Sequence, residues 1–256
     1  LGIVLVALAV LGIVLTLFVL VVFVKHRDTP IVKASNRELS YLLLIGLILC
    51  YLCSFLFIGK PSETSCILRR ILFGLGFTLC YSALLAKTNR VLRIFRAKKP
   101  GSGKPKFISP WAQVLIVLIL VLIQVIICVI WLVVEPPRPT IDIYSEKEKI
   151  ILECNKGSMV AFVVVLGYDG LLAVLCTFLA FLTRNLPENF NEAKFIGFSM
   201  LTFCIVWVAF IPIYLSTPGK VQVAVEIFSI LASSTVLLGC LFVPKCYIIL
   251  FRPEKN

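Results

Sequence analysis

The chain has 256 residues, of which 60% are hydrophobic and 15% are charged, and its formal net charge at pH 7 is +12. Water-soluble domains of ordinary composition are far less apolar, so the composition excludes that class and predicts a membrane domain.

Seven near-continuous apolar runs are long enough to cross the ~30 Å hydrocarbon core of a bilayer. The sequence therefore predicts an all-α membrane protein, a seven-transmembrane helix bundle that takes up the whole of residues 1–256. The first run has no basic leader and is too long for a signal-peptide core, so we interpret it as a true span. Because the chain starts directly at this span, we expect it to be a piece of a longer protein. The predicted spans, called spans one to seven, cover about residues 2–24, 39–58, 67–95, 111–134, 158–182, 195–215 and 222–243.

An odd number of spans puts the two termini on opposite sides of the membrane, and basic residues indicate which side is cytoplasmic. One side, formed by the links 25–38, 87–110 and 183–194 and by the tail from Lys245, carries 17 of the 25 Lys and Arg residues. The sequence therefore predicts an N-terminus outside and a cytoplasmic C-terminus. Since the net charge follows from this asymmetry, we expect membrane lipid or a cytoplasmic protein as the partner, and no nucleic acid.

The first link and span two contain residues of the metal-binding and redox types, which we interpret as structural. His26 is the only histidine in the chain. With no second imidazole and no carboxylate cluster beside it, no metal site is expected. Cys50 and Cys53 form a C-x-x-C in the middle of span two, but without a second such pair they are predicted to be small packing residues. No cofactor is expected.

Span three begins beside Cys66, Arg69 and Arg70 and ends in a series of basic residues. The outer loop after span four contains two alternating apolar and polar stretches, which predict a short hairpin that ends near Cys154. Of the ten cysteines, only Cys66 and Cys154 lie at the oxidising face outside the lipid. The sequence therefore predicts a disulfide between them, which would hold the loop as a lid over the mouth of the bundle.

Spans five and six carry the residues that point most directly to a ligand site. Asp169 lies deep in span five, where a carboxylate costs ~2.5 to 3.5 kcal/mol on insertion scales and is a candidate functional residue. The alternative is that Asp169 faces the interior and only stabilises the bundle. In span six, Trp207, Phe210 and Tyr214 share one helix face, which is consistent either with packing or with the lining of a pocket.

Several motifs together indicate one receptor family. The chain contains DTPIVKASNRELSYLLL in the first link and span two, C-x-L-R-R at the start of span three, LLAKTNRVLRIF at its end, LPENFNEAKFIGFSM leading into span six, CIVWVAFIPIY within it, and FVPKCYIILFRPEKN at the end. With these motifs the chain closely resembles the transmembrane domain of class C G-protein-coupled receptors, over essentially its whole length. This family includes the metabotropic glutamate, calcium-sensing, vomeronasal type 2, and sweet and umami taste receptors.

The resemblance implies an agonist-binding extracellular domain, which is absent from these residues, and a homo- or heterodimer that carries the signal into the bundle. It also implies an ionic lock at the cytoplasmic side, between the Lys of KTNR and the Glu of NEAK, which are Lys87 and Glu192 here. Such a pair forms only while the inner ends of spans three and six are close, so breaking it would open a cleft for a G protein. The alternative is an ordinary surface ion pair, worth under ~1 kcal/mol.

In the family, small-molecule allosteric modulators bind between spans three, five, six and seven. Glu226 resembles the acid that receives amine modulators in the calcium-sensing branch, whereas Asp169 stands where glutamate-receptor relatives have Asn. An acid at that position favours a basic ligand or a protonated side chain. The predicted pocket residues are Tyr81, Asp169, Trp207, Phe210, Tyr214, Glu226, Ser229 and Ser233. The residues predicted to face the G protein are Arg90, Arg93, Arg96, Lys98, Lys99, Asn191 and Lys194.

The predicted function is therefore that of a multi-pass plasma-membrane receptor module that couples an extracellular event to a heterotrimeric G protein, with no enzymatic activity of its own. One alternative is a seven-span small-solute transporter or channel, although the chain has no internal repeat and only one deep acid. A retinal protein is a further alternative, but Lys245 follows Pro244 at the predicted cytoplasmic edge and not in the middle of a span.

Overall fold

The protein was analysed as a computed structural model, which describes residues 2–58, 61–97, 109–142, 151–154, 158–183, 192–216 and 220–252. The described part contains eight helices and one two-stranded antiparallel sheet. In chain order the elements are α1 Gly2–Lys25, α2 Pro30–Ala34, α3 Arg37–Leu56, α4 Glu63–Ala97, α5 Pro110–Val134, β1 Pro139–Asp142, β2 Ile151–Cys154, α6 Met159–Thr183, α7 Glu192–Ser216 and α8 Lys220–Phe251.

All of these helices except α2 are long and apolar enough to cross a membrane, which gives seven candidate spans in the described residues. The predicted fold class, a seven-transmembrane bundle, is confirmed. Two helices extend well beyond the apolar runs: α4 has 35 residues and α8 has 32, and α8 continues through Pro244 to Phe251. Backbone hydrogen bonding does not stop where the side chains become polar, so apolar runs underestimate helix length.

Helix α4 occupies the centre of the bundle. Of its most apolar 18-residue window 72% is buried, compared with 22% for α5 and 28% for α1 and α7. Helix α4 packs directly against α3, α5 and α6, while α8 packs against α7, α3 and α1. Helix α4 therefore contacts several of the other helices, and many residues of the candidate sites below lie on it or pack against it.

Helices α3 and α4 cross at two glycines. A Cβ atom added to Gly46 would lie 2.8 Å from the Sγ atom of Cys80, and one added to Gly76 would lie 2.9 Å from the Sγ atom of Cys50. The two backbones therefore approach so closely that only glycine fits at these positions. In the C-x-x-C of span two, Cys50 packs against this crossing and the Cys53 thiol donates a hydrogen bond to the Arg69 carbonyl at 3.2 Å.

Candidate functional site

The outer end of the bundle is tied by the predicted disulfide, which joins Cys66 on α4 to Cys154 at the end of β2. Strand β2 pairs antiparallel with β1, in a register that places Pro139 opposite Cys154. The hairpin is thus fixed to the start of the central helix. Disulfides form in oxidising compartments, so this bond agrees with the extracellular orientation predicted for this end from the basic residues.

A buried ion pair lies less than two helical turns further along α4. The Nη1 atom of Arg70 lies 2.9 Å from the Oε1 atom of Glu226 on α8, and both side chains are only 7% exposed. The Arg70 guanidinium also lies over the ring of Phe162 on α6, 4.9 Å from its centroid. Arg70 therefore joins three helices, and Glu226, predicted as a pocket acid, already has a cationic partner.

The neighbouring Arg69 connects the same end of α4 to other elements. Its guanidinium lies 4.8 Å from the ring centroid of Phe57, just after α3, and its Nη2 atom contacts the Sγ atom of Cys154. Neither arginine contact was predicted from the sequence. The sequence did contain a signal for the Arg70–Glu226 pair. Both residues lie near the outer ends of apolar spans, and charged residues within a span are rarely unpaired.

Helices α4, α6 and α7 line a partly open cavity of about 160 Å³ in the middle of the bundle. Four predicted pocket residues line it, namely Tyr81, Asp169, Trp207 and Phe210. Ligand pockets for drug-sized molecules usually measure ~300 to 1,000 Å³, so this cavity fits a smaller molecule unless its lining moves. Its walls are mostly aromatic, because Phe73, Phe77 and Phe203 complete the lining together with Leu166, Gly170 and Ile211.

The other four predicted pocket residues do not line this cavity. Glu226 pairs with Arg70, and Tyr214 packs against the rings of Phe210 and Phe162. Ser229 and Ser233 are buried on α8, where the Ser233 hydroxyl donates a hydrogen bond to the Ser229 carbonyl at 2.7 Å. The structure thus separates the eight residues into four that line the cavity and four that do not.

Three polar groups at the cavity lack hydrogen-bond partners within the described part of the chain. The Thr78 hydroxyl donates to Oδ1 of Asp169 at 2.5 Å, but the second carboxylate oxygen, Oδ2, is buried without a partner. The Tyr81 hydroxyl and the Nε1 atom of Trp207 are in the same situation. Buried polar atoms are normally paired, so these three groups form a polar site in an otherwise aromatic cavity.

The inner end of α4 carries Lys87, whose side chain is buried although it is charged. Its Nζ atom donates to the Ser35 carbonyl at 2.8 Å and to the Ser40 hydroxyl at 2.9 Å. One turn further, the Nη1 atom of Arg90 contacts Oδ1 of Asn36, which has a left-handed backbone with φ of 58°. The first link is thus held against α4 by two basic side chains.

The predicted partner of Lys87 is Glu192, the first residue of α7, and its side chain lies outside the described residues. The ionic lock therefore stays a prediction. Among the residues predicted to face a G protein, Arg93 donates a hydrogen bond to Asn89 at 3.2 Å and Lys194 is exposed. The side chain of Arg96 and the whole of Lys98, Lys99 and Asn191 lie outside the described part.

Comparison with known proteins gives consistent matches along the chain. The profile of the family described as "7 transmembrane sweet-taste receptor of 3 GCPR" matches residues 1–245. The human extracellular calcium-sensing receptor is 53% identical over 255 residues, which are 100% of this chain and 24% of that receptor. Mouse vomeronasal type-2 receptor 116 is 56% identical over 241 residues, 94% of this chain and 28% of the receptor. Mouse vomeronasal type-2 receptor 26 is 53% identical over 252 residues, 98% of this chain and 30% of the receptor.

Proposed function

Because the chain belongs to the class C family of G-protein-coupled receptors, we propose that its helix bundle passes an extracellular event to a heterotrimeric G protein. The chain is a multi-pass plasma-membrane protein, and its family consists of signalling receptors rather than enzymes. Neither the family nor the relatives support the alternative of a transporter or channel. Coupling to G proteins and dimerisation are general features of this family, and we extend both to this chain.

The chain spans about a quarter of the length of the calcium-sensing receptors that it matches. We therefore propose that residues 1–256 are the seven-transmembrane domain, and that the agonist binds to a part of the receptor outside them. The bundle would then receive its signal through the outer end of α4 and the hairpin, which the disulfide joins. The central cavity is proposed as the site of small-molecule allosteric modulators, because its position among α4, α6 and α7 and its apolar walls suit such ligands.

The observation that carries the proposal is the buried Lys87 at the cytoplasmic end of α4, only 5% exposed. Burying a cation is costly unless it is hydrogen-bonded and paired, so such a residue is a sensitive control point. We propose that Glu192 is its ionic partner in the resting state. Movement of the inner end of α7 would separate the two charges and open a cleft for the G protein. Arg90, Arg93, Lys194 and the other basic residues predicted above would face that cleft.

The test is guanine-nucleotide exchange on purified heterotrimeric G proteins by the chain in nanodiscs. The single charge reversals Lys87→Glu and Glu192→Lys are expected to raise basal exchange. The double reversal is expected to restore only part of the wild-type rate, because a carboxylate at position 87 cannot donate to the Ser35 carbonyl. Glu192→Gln removes the negative charge of the same pair without reversing it. Lys33→Glu is the matched control, because Lys33 is an exposed cytoplasmic lysine with a side chain 60% exposed. Unchanged exchange in every lock variant, from folded samples, would refute the switch.

A further inference from the structure

Helices α5 and α6 leave a gap between their outer halves. Each of them packs more extensively against α4 than against the other. Near the middle of both helices the gap is closed by the Tyr168 hydroxyl of α6, which donates a hydrogen bond to the Leu120 carbonyl of α5 at 2.9 Å. On the outer side of this bond lies a partly open groove with a volume of about 270 Å³. This outer groove is separate from the central cavity, because the two have no lining residue in common.

The walls of the outer groove face the membrane and carry no charge. The exposed side chains of Ile130 and Val134 line it from α5, and those of Val160 and Val164 line it from α6. No Lys, Arg, Asp or Glu is among the described residues that line it. Because the groove opens to the bilayer, the molecules that reach it are lipids. A phosphate headgroup would find no cationic partner there, so the walls favour a lipid without a charged headgroup.

One polar atom of the groove lacks a partner. Trp131, in the last turn of α5, lines the groove and is only 2% exposed, unlike the tryptophans that anchor a helix at the membrane surface. Its ring centroid lies 6.4 Å from that of Phe162, and its Nε1 atom has no hydrogen-bond partner in the described part of the chain. The half-buried Ser158, just before α6, places a hydroxyl at the same end of the groove. Buried N–H groups are normally paired, and an oxygen bound at this end supplies the missing acceptor.

We propose that the outer groove binds a sterol from the outer leaflet, whose single hydroxyl accepts a hydrogen bond from Nε1 of Trp131. The α5 wall from Ile127 to Val134 is about 10 Å long, at a rise of ~1.5 Å per residue. This length suits the rigid fused rings of a sterol. An acyl chain would continue ~15 Å to the middle of the hydrocarbon core and meet the Tyr168–Leu120 hydrogen bond. A rigid ligand also loses little conformational freedom on binding, and the plasma membrane, where this chain resides, is rich in sterol.

The test is photolabelling of the chain in phosphatidylcholine nanodiscs by a cholesterol analogue that carries a diazirine on its ring system. The labelled positions are mapped by mass spectrometry of peptides. Cholesterol and its 3α epimer, epicholesterol, compete with the label, and they differ only in the direction of the hydroxyl. Labelling is expected within residues 127–134 and 158–164, which line the groove. Cholesterol is expected to compete about 3- to 10-fold better than epicholesterol, as for the loss of one neutral hydrogen bond.

Two variants test the shape of the groove and its polar end. Val164→Trp fills the groove and is expected to abolish labelling there. Val163→Trp is the matched control, because Val163 is also exposed and lies at nearly the same depth but does not line the groove. Trp131→Phe keeps an aromatic ring and removes the N–H group. It is expected to weaken competition by cholesterol about 3- to 10-fold and to make the two epimers nearly equal, while the groove is still labelled.

Three results would overturn the proposal. The first is label spread evenly over the lipid-facing helices, or none in the groove, in a folded wild-type chain. The second is labelling of the groove that persists in Val164→Trp or is lost equally in Val163→Trp. The third is an unchanged preference for cholesterol in Trp131→Phe, which would exclude the hydroxyl contact. All of these measurements are made without a G protein, so their outcome is independent of the proposed coupling.

Discussion

Removing one member of the buried Arg70–Glu226 pair should destabilise the bundle far more than removing both. At a separation of 2.9 Å and an effective dielectric constant of 20, the attraction between the charges is about 6 kcal/mol. Desolvation offsets much of this attraction, but a single substitution leaves one uncompensated charge, which costs about 3 to 5 kcal/mol. Glu226→Gln and Arg70→Met are therefore each expected to lower the apparent melting temperature by about 6 to 20 °C.

The double variant Arg70→Met/Glu226→Met replaces the pair by apolar groups of similar length. It is expected to melt within about 4 °C of the wild-type chain, because no buried charge is left. The assay is thermal unfolding of each variant in nanodiscs, read as a double-mutant cycle.

The control is Glu38→Gln in the Arg37–Glu38 pair, which has nearly the same separation, 3.0 Å, but side chains that are 36% and 35% exposed. A pair that is this accessible to solvent is worth about 1 kcal/mol or less. If the single variants at Arg70 and Glu226 cost no more than this control and their effects simply add, the pair is not desolvated and the argument is wrong.

Two further predictions concern the disulfide and the crossing of α3 and α4. Removal of the disulfide by Cys66→Ser/Cys154→Ser is expected to cost ~2 to 5 kcal/mol of stability. A reductant should lower the melting temperature of the wild-type chain but not that of this variant, and equal sensitivity of the two would contradict the prediction. Gly76→Ala is expected to cost ~1 to 3 kcal/mol, because its Cβ would lie 2.9 Å from the Sγ atom of Cys50 and 3.3 Å from the backbone of the same residue. Gly167→Ala is the control, with no atom within 4 Å of the added Cβ, and equal melting temperatures for the two variants would show that the α3–α4 crossing is looser than described.

The number of spans and the disulfide could be predicted because neither requires knowledge of how the helices pack against one another. An apolar run of sufficient length is a span wherever its neighbours lie, and Cys66 and Cys154 were the only cysteines assigned to the oxidising side. Helix ends were less predictable. Span seven was expected to end at residue 243, before Pro244, but α8 continues to Phe251. Lys245, within this extension, is only 8% exposed.

Contacts between helices depend on how each helix is rotated, and no run of residues reveals that rotation. Four of the predicted pocket residues line one cavity, namely Tyr81, Asp169, Trp207 and Phe210. Glu226 does not, because it forms an ion pair with Arg70. Glu226 was assigned to the pocket from its resemblance to an acid of the calcium-sensing branch, and no pairing of Arg70 with it was predicted from the sequence. The chain carries two arginines in succession at this point, and the structure gives each a different set of partners.

The packing around α4 bears on which helix would move in the proposed switch. Helix α4 is held against α3 at two glycines that leave no room for a shift, and against α8 by the Arg70–Glu226 pair. Helix α7 is one of the less buried helices, with 28% of its most apolar window buried, as in α1 and compared with 72% in α4. It also supplies Phe203, Trp207 and Phe210 to the cavity and begins at Glu192, the proposed partner of Lys87. A ligand that fills the cavity therefore presses on the same helix whose inner end would control the cleft. Modulation and G-protein coupling would then be two effects of one movement of α7 against a fixed α4.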